Sequence, residues 1–265
     1  MVLEQPIGVF DSGVGGLSVL REIRRELPAE DLLYVADSAF APYGGKPPAV
    51  IRARAAAIVR WLDGRGVKLV VVACNTATGV AIDALRAETE TPIVAIEPAV
   101  KPAALDTRTG VIGVLATAPT LASARFERLV SSYGANVDVL QEPCPGLVEQ
   151  VEKGDLAGAE TRSLVERYVR PLVERGADIL VLGCTHYPFL KDAIQAAAGS
   201  SVRVIDPAVA VAREVGRRLA ALNRLAPPER QGAERFWTSG TPADVRPVIV
   251  QLWQREVDVG RLVAD

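Results

Sequence analysis

Short apolar runs alternate with helix-period segments along almost the whole chain. Ile7–Asp11 and Asp31–Val35 read as strands, separated by a helix over Gly15–Leu27. Ile51, Ala55, Ile58, Val59 and Leu62 recur on one helical face, with Arg52, Arg54 and Arg60 off it. Lys68–Ala73 predicts a further strand, followed by a helix from Thr76. Strands are expected again near Ile93–Ile96, Val111–Leu115, Val137–Leu140, Ile179–Leu182 and Val202–Ile205. Val209, Ala212, Val215, Leu219 and Leu222 share one face of a late helix, and Arg235–Thr238 predicts one more strand. Runs this uniformly apolar are buried on both faces, and intervening helices imply right-handed βαβ units in mainly parallel sheets. The fold class is α/β.

The pattern repeats. Ile7-Gly8-Val9-Phe10-Asp11-Ser12 resembles Ile112-Gly113-Val114-Leu115-Ala116-Thr117 at an offset of 105. Leu69-Val70-Val71-Val72-Ala73-Cys74 resembles Leu180-Val181-Leu182-Gly183-Cys184, the two cysteines lying 110 residues apart. The shared order and nearly constant offset favour duplication over chance likeness of two βα units. Two pseudo-symmetric domains are expected. Residues 1–97 with 207–265 carry Asp11 and Cys74; residues 98–206 carry Thr117, Cys184 and His186. The segment after Pro207 is expected to pack back on the first domain, with Pro98 and Pro207 marking the crossings. Ligands bind beyond the carboxyl ends of parallel strands, so two sheets facing each other predict an active site in an interdomain cleft.

Composition narrows the function. A chain of 265 residues with 49% hydrophobic content and no low-complexity stretch has ample material for a core. The net charge of −2, with arginines scattered among acidic residues, argues against a nucleic-acid partner. No run approaches the ~18 apolar residues of a membrane span. The start of the chain lacks the pattern of a secretory signal, so a cytoplasmic location is expected. Three cysteines do not form a secreted disulfide framework, and a reducing compartment keeps thiols available for chemistry.

Cys74 and Cys184 carry the strongest chemical signal. Each ends an apolar strand, with residues that suit a helix start just after it: Asn75-Thr76 and Thr185-His186. A helix N-terminus favours a thiolate. A lone buried cysteine is commonly a small hydrophobe; two at equivalent strand ends are not explained that way. Thiols on opposite faces of one carbon remove a proton from one side and return it to the other. His186, the only histidine, either tunes Cys184 or orients a substrate amine. Asp11-Ser12 enters Gly13-Val14-Gly15-Gly16, whose backbone N–H groups suit a carboxylate. Asp11 either pairs with a substrate ammonium or sets the protonation of Cys74. The dinucleotide pattern fails, because Ser18 stands where its third glycine belongs. The loop Ala41–Pro48 is either a surface connection or a lid, and Thr117 and Thr120 either cap a helix or also bind a carboxylate. Cys144 has no strand-end placement and reads as structural. No spacing suits a metal, and no cofactor fingerprint occurs, so neither metal nor cofactor is expected.

These motifs together resemble bacterial glutamate racemases of the aspartate/glutamate racemase superfamily, over nearly the whole chain. The resemblance rests on Phe10–Leu17, Pro42-Tyr43-Gly44, Cys74–Thr78, Ile96-Glu97-Pro98 and Leu182–Pro188. It implies cofactor-independent interconversion of L- and D-glutamate for peptidoglycan synthesis, by a two-base mechanism. Cys74 and Cys184 would be the bases, assisted by Asp11 and His186. It further implies substrate contacts from Asp11, Ser12, Tyr43, Gly44, Asn75, Thr76, Thr117, Thr120, Thr185 and His186, with Glu152 near the second thiol. A homodimer is implied, with no membrane partner. The chain departs from the family at Gly45, Phe126 and Pro207, and the absence of an N-terminal extension predicts no activation by a cell-wall precursor. Three alternatives remain: a racemase of the superfamily acting on aspartate or a hydantoin, a non-catalytic two-domain binding protein, and a regulatory disulfide between Cys74 and Cys184. Tyr43-Gly44 and Cys184–Pro188 favour glutamate.

Overall fold

The computed structural model describes residues 2–133 and 136–263; Met1 and Asp265, the ends of the first expected domain, lie outside them. The chain divides into two compact units. One comprises the described residues up to Ile96 together with those from Ala208 onward, and the other is Glu97–Pro207.

The strands are β1 (Ile7–Asp11), β2 (Leu32–Ala36), β3 (Leu69–Val72), β4 (Ile93–Ala95), β5 (Val111–Ala116), β6 (Asp138–Pro143), β7 (Ile179–Gly183), β8 (Arg203–Ile205), β9 (Glu234–Thr238) and β10 (Val259–Arg261). The helices are α1 (Leu17–Glu26), α2 (Pro48–Asp63), α3 (Asn75–Glu88), α4 (Val100–Asp106), α5 (Ala118–Leu121), α6 (Ala124–Tyr133), α7 (Leu147–Glu152), α8 (Ala159–Glu174), α9 (Lys191–Ala198), α10 (Ala208–Ala221) and α11 (Pro242–Trp253).

In the first unit the sheet order is β10-β9-β2-β1-β3-β4, and every pairing is parallel. Every residue of β1, β2 and β3 is buried, as both-face coverage requires. Burying Ile7, Val9, Phe10 and their neighbours contributes about 1.5–3 kcal/mol per large side chain before entropy is counted. In the second unit the order is β6-β5-β7-β8, again parallel. This matches β2-β1-β3-β4 strand for strand, so the repeat seen in sequence is a repeat of topology. Both sheets reverse direction of growth beside their first strand, between β1 and β3 and between β5 and β7. That switch point is where an open parallel sheet leaves a crevice beyond its carboxyl ends.

The late helix α10 packs on α1, and β9 pairs with β2 in the first unit. Two elements escape the sequence pattern. Helix α11 contains Pro247, which interrupts a helical reading, and β10 has only three residues, none fully buried. Both are made by tertiary pairing, β10 lying against β9.

Candidate active site

Each sheet carries its thiol at its own switch point. Cys74 follows β3, beside the end of β1 at Asp11-Ser12. Cys184 follows β7, beside the end of β5 at Ala116-Thr117. Both thiols are nearly fully buried, and all three cysteines are free.

The surroundings of the two thiols differ. Cys74 is itself the N-cap of α3, its sulfur accepting the Ala77 N–H at 3.4 Å, while Asn75 is the first helical residue. The sequence pattern points to Asn75 and Thr76 for the cap; α3 starts at Asn75, one residue earlier than expected, and so the cap falls on the thiol. The Cys74 thiol also donates to Ser12 Oγ at 3.6 Å. Cys184 does not open an α-helix. A turn closed by Tyr187 N–H to Cys184 C=O leads into a single 3-10 turn, Tyr187–Leu190, before α9. In place of helix amides, Cys184 faces the ring of His186, with Nδ1 3.7 Å from Sγ. His186 Nε2 lies 2.6 Å from Glu152 Oε1 at the end of α7. Burial opposes charge on this ring, but the hydrogen bonds to Cys184 and Glu152 and their negative charge outweigh it. The His186 pKa is raised well above 6.5. Charged, the ring donates from both nitrogens, to the carboxylate on one side and to the sulfur on the other.

Asp11 is fully buried at the end of β1. Its Oδ2 accepts the backbone N–H groups of Gly13 at 3.2 Å and Gly16 at 3.1 Å. The glycine-rich turn was expected to offer amides to a substrate carboxylate; these two are instead turned onto the chain's own Asp11. Tyr34 Oη, also buried, donates to the Gly13 carbonyl at 2.7 Å and holds the same turn from behind. Gly16 has no room for a side chain, since a Cβ would stand 2.7 Å from Asp11 Cβ and 3.0 Å from Tyr34 Oη.

Asn75 is buried, and neither its Oδ1 nor its Nδ2 has a hydrogen-bond partner among the described residues. An amide so placed costs about 1–3 kcal/mol per unmet group, so its position beside Cys74 suits a polar ligand. Thr76 and Thr185 are buried beside their respective thiols. Thr117 caps α5, its Oγ1 accepting Thr120 N–H at 3.4 Å and lying 2.9 Å from Thr120 Oγ1. The capping role of this pair is therefore real. Tyr43 and Gly44 form a one-turn 3-10 helix with Gly45; Tyr43 is buried and Gly44 half-buried. Tyr43 is the one buried residue of Ala41–Pro48 and anchors that loop.

Three residues of this region were not singled out by sequence. Tyr34 was hidden inside an apolar strand. Asp37 is fully buried and accepts from Tyr43 Oη at 2.6 Å. Arg54, assigned to the polar face of α2, pairs with Asp37 through two nitrogens. The available signal is an acidic residue directly after an all-apolar strand, one position beyond the level of Asp11 in the neighbouring strand. Cys144 donates to the Glu142 carbonyl at 3.2 Å, and burial pushes its thiol well above the usual range, as expected of a structural cysteine. Among the described residues, no group of three or more His, Cys, Asp or Glu side chains is disposed to hold a metal ion. No helix among them is long and apolar enough to cross a membrane.

Known proteins resemble this chain over nearly its whole length. A glutamate racemase of Pseudomonas paraeruginosa is 52% identical over 258 residues, 97% of each chain. A solved glutamate racemase isoform of Bacillus anthracis superposes with a TM-score of 0.88 at 31% identity, covering 98% of this chain and 97% of that one. The Escherichia coli glutamate racemase, solved with L-glutamate and the activator UDP-MurNAc-Ala, superposes with a TM-score of 0.86 at 32% identity, covering 98% and 99%. Residues 7–215 match the Asp/Glu/Hydantoin racemase family, and the chain belongs to that family.

Proposed function

We propose that this chain is a glutamate racemase that interconverts L- and D-glutamate without a cofactor, supplying the D-enantiomer for peptidoglycan. Inverting a carbon by proton transfer calls for an acid–base group on each of its faces. The observation that carries the reading is the pair of buried free thiols at equivalent strand ends of two sheets with one topology.

In the reaction, one thiolate removes the α-proton and the other thiol delivers a proton to the opposite face. Cys74 and Cys184 exchange these roles with the direction of turnover. Asp11 and Ser12 serve the Cys74 side. His186, held by Glu152, serves the Cys184 side by keeping a donor directed at the sulfur. Asn75, Thr76, Tyr43, Gly44, Thr117, Thr120 and Thr185 bind the substrate; the unmatched amide of Asn75 supports this most directly. Developing negative charge at the α-carbon is stabilised by donors arranged before the reaction. The two compact units, Glu97–Pro207 and the rest of the described chain, act as the two domains of the enzyme. The family resemblance supports a cytoplasmic homodimer, which sedimentation of the purified protein tests.

The functional test is proton NMR of L-glutamate in D₂O, without added cofactor, for wild type, Cys74→Ser and Cys184→Ser. Wild type should exchange the α-proton and form D-glutamate, and each variant should lose racemisation in both directions. If wild type acts on aspartate or a hydantoin and leaves glutamate untouched, the substrate is wrong. If variants keep full racemisation, the two-thiol mechanism is wrong.

A further inference from the structure

Behind the Tyr43-Gly44 loop lies a group of residues to which neither the sequence reading nor the proposed reaction assigns a part. Asp37 follows β2, and its backbone N–H donates to the Asp11 carbonyl at 3.0 Å. Its carboxylate receives three donors: Tyr43 Oη at 2.6 Å on Oδ2, Arg54 Nε at 3.1 Å on Oδ2 and Arg54 Nη2 at 2.8 Å on Oδ1. Arg54 reaches in from α2, its side chain 16% exposed, and stacks 4.2 Å above the Phe40 ring. Its hydrogen bond to Asp37 outweighs burial and raises an already high pKa. The Tyr43 ring belongs to the same buried cluster as Cys74, and the one-turn helix 43–45 packs against α3, which Cys74 caps.

We infer that Asp37 and Arg54 form a positioning pair that fixes the Tyr43-Gly44 turn for substrate binding, with Tyr43 acting through its backbone and ring. The inference rests on the proposed racemase function. The Tyr43 hydroxyl is already committed to Asp37 at short range. Burial and the adjacent Asp37 carboxylate push its pKa far above the usual range of a phenol. It is therefore an anchor and not an acid in the reaction. What the turn presents to a ligand is backbone near Gly44 and Gly45, and a Cβ at Gly45 would meet nothing within 4 Å. Contacts of this kind do not change as the α-proton moves. They contribute equally to ground state and transition state, and their loss raises KM while leaving kcat. A planar two-nitrogen fork on the carboxylate fixes an orientation that a single ammonium does not.

The test measures kcat and KM for both glutamate enantiomers in Arg54→Ala, Arg54→Lys and Phe40→Leu, with Lys68→Met as a structural control. Lys68 precedes β3, at the opposite strand end from Cys74, and pairs with buried Glu30. Arg54→Ala should raise KM about 10-fold with kcat changed less than about 3-fold. Arg54→Lys should recover part of that loss, and Phe40→Leu should raise KM by a smaller factor. Lys68→Met should lower Tm with KM unchanged. If Arg54→Ala loses Tm like the control but keeps its KM, the pair is structural only and the inference falls. A fall in kcat at constant KM, or a displaced pH–rate profile, also overturns it, since the pair would then act on proton transfer. Should Arg54→Ala fail to fold, Arg54→Lys and Phe40→Leu decide between the same outcomes. A failure of the racemase reading shows separately, as wild type that does not racemise glutamate.

Discussion

Glu152→Gln isolates one interaction in a position that can be watched directly. The chain has a single histidine, so the ring protons of His186 titrate in proton NMR without assignment. Glutamine keeps the shape and an acceptor oxygen for Nε2, and removes only the charge 2.6 Å from it. Charge centres roughly 4 Å apart attract by about 4 kcal/mol at an effective dielectric near 20, which is a ceiling. Glu152 keeps 18% side-chain exposure and both partners lose hydration, so about 1.5–3 kcal/mol is the expected net value of the charge-assisted hydrogen bond. Removing that charge should move the His186 titration to lower pH in the variant. Stability follows with a definite sign. A group whose pKa is raised on folding stabilises the protein fully below its unfolded value and loses that contribution as pH rises through the folded value. Glu152→Gln should therefore cost most at about pH 6 and little well above the folded His186 pKa, read by urea denaturation across that range. A wild-type histidine titrating at or below 6.5 would refute the reasoning, as would a variant with an unmoved titration. The Cys184 sulfur on the other nitrogen keeps part of the upward shift in the variant, so a complete return to 6.5 is not expected.

Other expectations are simpler. Gly16→Ala forces a Cβ to within 2.7 Å of Asp11 Cβ and should displace the Asp11 turn, losing most racemase activity while the protein stays folded; unchanged activity would mean the turn gives way. Tyr34→Phe removes the donor to the Gly13 carbonyl and should cost about 1–3 kcal/mol in urea unfolding. Lys68→Met leaves Glu30 buried without its cation and should cost about 3–5 kcal/mol; adding Glu30→Gln should recover much of that loss, and a strictly additive double variant would contradict the pairing.

The α/β class, the strand positions and the duplicated order could be read from the chain because they depend on local periodicity. Ile7–Phe10 and Leu69–Val72 are apolar at every position, which only a doubly covered strand tolerates. The two thiols were equally visible, since each follows such a run directly. What periodicity does not carry is the partner of a polar group. Nothing near Gly13 and Gly16 in sequence says that their amides close on Asp11 instead of a ligand. Arg54 looks like a solvated arginine on a helix until β2 brings Asp37 beneath it. The two thiols look equivalent in sequence, yet one caps a helix while the other faces a histidine held by a glutamate 34 residues earlier in the chain. β10 and α11 escaped for the same reason: a three-residue edge strand and a helix containing proline owe their form to the neighbours they pack on. The chain's own pattern chose the scaffold through burial, which is local and periodic. Tertiary structure chose the distant partners, Arg54 for Asp37 and Glu152 for His186, because these residues come within about 3 Å of one another only on folding.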